Sequence, residues 1–283
     1  MVDARNGRPE IFRGENFEPV AVAEELYGQF FAGDSYLIKY TYRPMKEVAG
    51  RLREASKEEF IIYFWLGRDS TADEKGAAAL IATRMDGELG GAATQVRVVM
   101  GKEPPHLVRL FKGKMVVHAG GKASGFKNQV AVDTYDDDGV SLYHVRGTDE
   151  LNTRAVQVEE AAGSLNSGDC FVLLTPATMF VWRGEGANET ERATAATVAA
   201  TLQEQRKLEL VDEGEESEAF WGFLGGKGEY TTSKDLPTDD RVPRLFQCSN
   251  KVGSFEVEEI VDFAQGDLED DDCFLLDAYT AIY

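Results

Sequence analysis

Hydrophobic and polar positions recur along this chain in a fixed order. Gly33-Asp34-Ser35-Tyr36-Leu37-Ile38-Lys39-Tyr40 is a small residue, a carboxylate and then an alternating apolar run. That pattern predicts a strand entered through an acidic turn. Gly168-Asp169-Cys170-Phe171-Val172-Leu173-Leu174 repeats it, and Asp271-Asp272-Cys273-Phe274-Leu275-Leu276 repeats it again. After the first two copies a second apolar run ends in Trp-x-Gly: residues 60–65 with Gly67, and residues 179–182 with Gly184. Each leads into a polar start and a helix-like stretch, Thr71-Ala72-Asp73-Glu74 and Asn188-Glu189-Thr190-Glu191. Val156-Gln157-Val158-Glu159-Glu160 and Phe255-Glu256-Val257-Glu258-Glu259 precede the second and third copies in the same way. An internal repeat of this kind decides the fold before any single element does. The unit is strand, acidic turn, strand, strand ending in Trp-x-Gly, and helix.

In chain order, residues 11–22 predict short strand pieces broken at Gly14 and Pro19, and residues 23–27 one helical turn. A strand over 33–42 follows, then a charged hairpin or loop over 43–59. Residues 60–66 are almost all apolar, which predicts a central strand covered on both faces. A helix over 72–89 starts at a capping box of Thr71 and Glu74 and ends at Gly90-Gly91. A strand over 96–100, a short proline-started helix over 105–111 and a strand over 115–118 close the first unit. The second unit reads as strands in 129–143 and 154–158 around Asp136-Asp137-Asp138, strands over 169–175 and 179–182, a helix over 189–206 behind an Asn cap, and a short helix over 219–224. Residues 225–243 are polar. The organisation is one repeat over 1–125, a second over 126–228, a linker over 229–243 and an incomplete third repeat over 244–283. The third copy stops before its helix, so it is expected to hold no core alone.

Composition changes the picture in three ways. The 283 residues suggest about two domains on length alone, and 43% hydrophobic residues suffice for ordinary cores. The net charge of −20 argues against nucleic-acid phosphates or an anionic membrane face and for a cation or a basic partner. The three cysteines lack metal spacing, and Cys170 and Cys273 share one place in the repeat, which reads as a packed strand position. Neither a signal peptide nor a membrane-length apolar run is visible, so the expectation is a soluble, cytoplasmic chain with no transmembrane segment.

The recurrent chemistry is a turn aspartate followed much later by a helix-start glutamate: Asp34 with Glu74, and Asp169 with Glu191. Calcium takes about 6–8 oxygen ligands, often including a bidentate carboxylate. The same residues also fit a plainer reading, with the glutamates as capping-box partners and the aspartates as turn formers. Asp271 and Asp272 stand in place in the third copy, but no glutamate follows. His106, His118 and His144 share no ligand spacing and read as local packing residues. No nucleophile elbow and no phosphate-binding glycine loop occurs.

Several spaced motifs together resemble the gelsolin/villin family of actin-regulating proteins. They are Gly33-Asp34-Ser35-Tyr36-Leu37, Tyr63-Phe64-Trp65-Leu66-Gly67, Asp73-Glu74-Lys75-Gly76-Ala77-Ala78, Val99-Met100-Gly101-Lys102-Glu103-Pro104, Phe111-Lys112-Gly113-Lys114-Met115, Arg146-Gly147-Thr148-Asp149-Glu150-Leu151-Asn152 and Arg244-Leu245-Phe246-Gln247-Cys248-Ser249-Asn250-Lys251. Their order is similar to the family's fourth and fifth repeats and the start of the sixth.

The resemblance implies an α/β (α+β) fold of gelsolin-like repeats, each a mixed five- or six-stranded sheet between one long and one short helix. It implies no catalysis, and a cytoskeletal, calcium-regulated protein that binds actin monomers or filament ends and severs or caps filaments. It places calcium ligands on Gly33, Asp34, Glu74 and the Lys122 carbonyl, and on Gly168, Asp169 and Glu191. It places a further calcium site, completed by an actin carboxylate, on Asp86 with the Gly91 and Ala93 carbonyls. It makes Leu80 and Ile81 apolar contacts with actin, while core packing is the competing reading for both. Helix 189–206, mostly Ala and Thr, is expected to pack rather than meet actin. Lys112, Lys114, Lys122 and Lys127 are candidates for phosphoinositide headgroups, or a plain solvated basic patch. The competing classes are a calcium-binding scaffold without actin activity and a metal-dependent hydrolase.

Overall fold

The computed structural model describes residues 7–48, 51–121, 139–203, 205–232, 243–249, 256–260, 263–268, 272–278 and 282–283. The expected strand over 129–138, Asp136 to Asp138, Lys122, Lys127 and Asp271 lie outside them. The chain divides into two compact units, Met1–Lys234 and Asp235–Tyr283.

The first repeat carries β1 (Gly7–Glu15), β2 (Glu18–Ala21), β3 (Gln29–Phe31), β4 (Ser35–Tyr42), a hairpin of β5 (Met45–Val48) and β6 (Arg51–Glu54), β7 (Glu59–Leu66), α1 (Ala72–Glu88), β8 (Ala93–Val99), α2 (Pro105–Leu110) and β9 (Val116–His118). The second carries β10 (Ser141–Arg146), β11 (Arg154–Val158), β12 (Cys170–Leu174), β13 (Thr178–Arg183), α3 (Glu189–Leu202), β14 (Lys207–Asp212) and α4 (Glu218–Phe223). The third supplies β15 (Arg244–Ser249), β16 (Glu256–Ile260) and β17 (Cys273–Asp277).

One strand order serves all three. The first sheet runs β2-β1-β4-β7-β8, the second repeat runs β11-β10-β12-β13-β14, and the third has β16-β15-β17, the same first three positions. In the two fuller copies every neighbour is antiparallel except the last pair, β7 with β8 and β13 with β14, which is parallel. A parallel neighbour needs a crossover, and the long helix supplies it in each copy.

Alternation along β4 and β7 sends Leu37 and Ile62 to the face where α1 packs Ile81, Ala82 and Met85. It sends Tyr36, Ile38, Tyr63 and Trp65 to the opposite face, against Leu107 and Val108 of α2. The second repeat divides likewise, with Val172 and Val181 under Ala195 and Val198 of α3. Phe171 and Trp182 lie over Phe220 and Trp221 of α4. Each sheet thus lies between a long and a short helix, the α/β arrangement that the resemblance implies.

The Trp-x-Gly ending has a second partner. The Trp65 indole donates to Glu103 Oε1 at 2.9 Å, which also takes the Gly101 amide at 2.9 Å. Trp182 donates to Glu216 Oε1 at 2.8 Å, which also takes the Gly214 amide at 2.9 Å. Gly101 and Gly214 hold the same left-handed turn, φ 89° and 88°, where a side chain is strained.

Four pattern expectations are corrected. Strand β1 runs through Gly14 and β2 through Pro19. The break is a two-residue hairpin at Asn16 and Phe17, both at positive φ, and Pro19 is tolerated because β2 is an edge strand. Helix α3 ends at Leu202, not at 206. Strand β14, absent from the pattern reading, follows it; its Leu208 and Leu210 are exposed and only Val211 is buried. Strand β3 is new as well, and β9 does not close the first sheet. Both join the second repeat instead: β9 pairs in parallel with β11 and with β3, making a seven-stranded sheet.

That seam is built from side chains of both repeats. His118 Nδ1 lies 2.8 Å from the Tyr143 hydroxyl and Nε2 lies 3.1 Å from Gln29 Oε1. A carbonyl oxygen only accepts, so Nε2 carries the proton and Nδ1 accepts from tyrosine. The Ala119 amide donates to Gln157 Oε1 at 2.9 Å. The Arg154 guanidinium meets Glu103 at 3.2 Å, the glutamate side chain being wholly buried. In the third unit, among the described residues, only Leu245 is buried, at 4% exposed, while Val257, Leu268 and Leu275 are exposed.

Two stability outcomes follow from the seam. Glu103→Ala removes the acceptor of Trp65 and Gly101 and strands Arg154, so it should cost about 3 kcal/mol or more in chemical denaturation. Glu216→Ala, which loses only the two hydrogen bonds, should cost about 1–3 kcal/mol. Equal losses would remove the ion pair from the account. Burial pushes the His118 imidazole down to about 4. A folded value below the unfolded one means stability is complete above about pH 6.5 and is lost as pH falls toward 4. The loss approaches about 3 kcal/mol for this group alone. His118→Gln should flatten the unfolding profile between about pH 6.5 and 4, and an unchanged profile would contradict the assignment.

Candidate calcium centres and the exposed helix face

Each candidate centre grows from a loop that wraps the turn aspartate. Gly67 donates its amide to the Asp34 carbonyl at 3.0 Å, and a Cβ there would stand 2.2 Å from the Ala32 carbonyl oxygen. Gly184 donates to the Asp169 carbonyl at 3.0 Å, and its Cβ would stand 2.3 Å from the Ser167 carbonyl oxygen. Only glycine lets the chain pass so close. The loop then opens the long helix, which fixes where its glutamate enters.

All four carboxylates are buried: Asp34 at 3% exposed, Glu74 at 4%, Asp169 and Glu191 at 2% each. The glutamates are capping-box residues as the plainer reading has it. Thr71 donates its amide and hydroxyl to Glu74 Oε2 at 2.7 and 3.0 Å, and Asn188 donates its amide to Glu191 Oε2 at 2.8 Å. Both caps act through Oε2. Glu191 Oε1 takes the Gly147 amide at 3.2 Å. Gly33 donates to the Gly120 carbonyl at 2.6 Å, and Gly121 passes so close that a Cβ there would stand 3.0 Å from Asp34 Oδ1. The segment leading to Lys122 therefore runs past the aspartate.

A residue on the first strand of each repeat reaches the turn aspartate. Arg13, His144 and Gln247 stand opposite Tyr36, Phe171 and Phe274, each two places after its aspartate. Arg13 lies 3.9 Å from Asp34 Oδ2, His144 Nε2 lies 2.9 Å from Asp169 Oδ2, and Gln247 Nε2 donates to Asp272 Oδ2 at 2.6 Å. Asn166 also donates to Asp169 Oδ2 at 2.9 Å, and Arg146 stands 3.9 Å away. Burial pushes the Asp169 carboxyl up, but the His144 bond and charge, then Arg146 and Glu191, outweigh it and hold it below its ordinary value. Burial, and next the Asp34 charge, push the Tyr36 phenol far up, so it stays a neutral donor, 3.4 Å from Asp34 Oδ2. Pattern reading missed these three positions because only the strand register shows their equivalence. His144 is thus part of the aspartate's setting, and it stacks on Phe171 at 4.5 Å.

The donor chemistry fits a hard cation. Among the described residues no three His, Cys, Asp or Glu side chains gather at one point. A site here therefore combines a carboxylate pair with backbone carbonyls, an all-oxygen set of the kind calcium takes. Carboxylates buried away from water need a donor, a proton or a cation to meet them. In the third repeat Ser249 also donates to Asp272 Oδ1, at 2.9 Å.

At the far end of α1, the Asp86 carboxylate accepts the Ala93 amide at 2.8 Å and the Gln95 side-chain amide at 3.0 Å, and the Asp86 carbonyl accepts the Gly91 amide at 2.9 Å. The expected trio Asp86, Gly91 and Ala93 is together. The helix face is a different matter. Leu80 is 65% exposed, whereas Ile81 is 1% exposed and packs on Leu37 and Ile62. A 3.6-residue period turns 77, 78, 81, 82 and 85 to the sheet, so Ile81 is corrected from a contact residue to a core residue. Phe17, in the β1–β2 hairpin, is 49% exposed, and Arg84 on α1 grips that hairpin through the Phe17 carbonyl and Glu18 at 3.2 and 2.8 Å. Lys112 and Lys114 are exposed.

A family model described as "Gelsolin repeat" matches residues 16–108, 152–221 and 254–283. Over its whole length the chain is 49% identical to "Gelsolin, cytoplasmic" of Homarus americanus, 42% to "Gelsolin" of Xenopus laevis and 40% to "Advillin" of Mus musculus. It spans 36%, 64% and 33% of those proteins. A solved structure titled as a Thorarchaeota 2DGel3/rabbit actin complex matches 77% of this chain and 99% of its own at 24% identity and a TM-score of 0.30. With the family model on three copies of one strand order, the chain belongs to the gelsolin repeat family.

Proposed function

We propose that the chain is a calcium-regulated actin-binding protein that engages actin monomers or filament ends and severs or caps filaments. The observation that carries this reading is a recurrence: in each of the two fuller repeats the turn aspartate and the glutamate that opens the long helix are both buried, Asp34 and Glu74, Asp169 and Glu191. Membership of a family of binding proteins sets the hydrolase aside.

Asp34, Glu74 and the carbonyls of Gly33 and Lys122 hold calcium in the first repeat; Gly168, Asp169 and Glu191 hold it in the second. The ion supplies the positive charge that lets two buried carboxylates stay ionised together. It thereby ties the acidic turn to the start of the helix. Asp86, with the Gly91 and Ala93 carbonyls, presents a further carboxylate for an ion shared with actin, a bridge that suits an acidic chain meeting an acidic partner. Leu80 projects from the same helix as the apolar anchor, and Phe17 extends that surface. Arg84 holds the hairpin carrying Phe17 beside the helix.

The test separates anchor from core. In co-sedimentation with calcium present, Leu80→Asp should weaken actin binding at least about tenfold, because a charge seated unpaired in an apolar cleft costs several kcal/mol. Its melting temperature should stay within about 2 °C of the parent. Ile81→Asp should unfold the first repeat outright. Chelating calcium should reduce binding of the parent chain. Parent-like binding by a folded Leu80→Asp variant would overturn the assignment of this face.

A further inference from the structure

The third repeat holds two cysteines that neither the calcium nor the actin reading uses. Cys248 in β15 and Cys273 in β17 are direct partners in an antiparallel register. Directly opposed residues share one face of the sheet, with Cα atoms about 4.5 or 5.5 Å apart depending on the hydrogen-bonding class of the pair. Both separations fall inside the roughly 4.4–6.8 Å that a disulfide spans. The register thus sets the two cysteines face to face, at a backbone separation that a disulfide can span. Both cysteines are free, Cys273 is exposed and Cys248 is half-buried.

The second repeat provides the contrast. There the equivalent positions are Val145 and Cys170, opposite each other in register. Both lie in the core beneath Ala195, Val198 and Ala199 of α3. The Cys170 thiol is buried there, out of reach of an oxidant in solvent. Of the three cysteines, the paired two are within reach of solvent and the single one is not.

We propose that Cys248 and Cys273 form a reversible intrachain disulfide when hydrogen peroxide oxidises the third repeat. The Cys273 thiolate attacks one peroxide oxygen. The O–O bond breaks, the sulfur becomes a sulfenic acid, and the departing hydroxide takes up the thiol's proton as water. The Cys248 thiolate then attacks that sulfur. The S–S bond forms, the S–O bond breaks, and the second hydroxide leaves as water with the Cys248 proton. Two thiols lose two electrons to one peroxide, and a dithiol reductant reverses the change.

The bond would join β15 to β17 beside Gln247 and Ser249, which hold the two Asp272 oxygens at 2.6 and 2.9 Å. A unit that buries so little apolar surface gains most from a covalent tie.

The full chain, reduced and desalted, is treated with hydrogen peroxide and alkylated after denaturation. The expected result is two protected thiols, a Cys248–Cys273 linked peptide in the non-reducing map, and recovery of both thiols with dithiothreitol. Limited proteolysis within residues 243–283 should slow by roughly fivefold or more. Cys248→Ser and Cys273→Ser should each abolish the link and the protection, and Cys170→Ser should abolish neither. Oxidation that ends in sulfinic acids, or in dimers joined through Cys273, without the 248–273 peptide would overturn the proposal.

Discussion

A carboxylate taken out of water must be met by a donor, a proton or a cation, and this chain repeats that demand at the same point of its fold. Asp34 and Asp169 are almost wholly buried at the entrance to β4 and β12, and each long helix begins on a buried glutamate. The glycine two places after tryptophan lets the chain wrap the aspartate's peptide. The first strand brings a side chain to it, Arg13 at ion-pair distance and His144 or Gln247 at hydrogen-bond distance. One aspartate thereby organises two strands, a loop and a helix start. A cation that satisfied the carboxylates would act on all of these elements together, the link on which the proposed calcium regulation of α1 rests.

The strand sequence, the two capping boxes and the Trp-x-Gly endings were legible because each is a local pattern with one period or one cap chemistry. The aspartates and glutamates of the candidate centres were legible for the same reason, since they recur at fixed places in that pattern. What stayed hidden needed three dimensions. Leu80 and Ile81 look alike in sequence, and only the phase of the helix against Leu37 and Ile62 separates the exposed residue from the core one. Strands β3 and β9 are too short to show a period, and they pair across repeats rather than within one. The pattern reading passed over β14 because its two leucines face solvent. The equivalence of Arg13, His144 and Gln247 depends on strand register, which three unlike side chains do not announce.

The seam between the first two repeats changes how they act. With β9 paired to β11, His118 bonded to Tyr143 and Glu103 paired with Arg154, the two repeats share one sheet and one set of buried polar contacts. Separating them would break ladder hydrogen bonds and strand a buried charge, which costs several kcal/mol in order of magnitude. A change at either candidate centre would therefore be felt by both repeats. The third repeat has the same first three strands, and among its described residues only Leu245 is buried.

The central claim is that the buried acid pairs and Asp86 are ion sites of different kinds, the first complete in the chain itself and the second completed by actin. Equilibrium dialysis of calcium against the chain, and against its equimolar mixture with actin, tests this directly. The account predicts one ion for each of the two fuller repeats in the chain alone, and one further ion, beyond those of actin itself, only in the mixture. No ion on the isolated chain, or no additional ion on mixing, would contradict it.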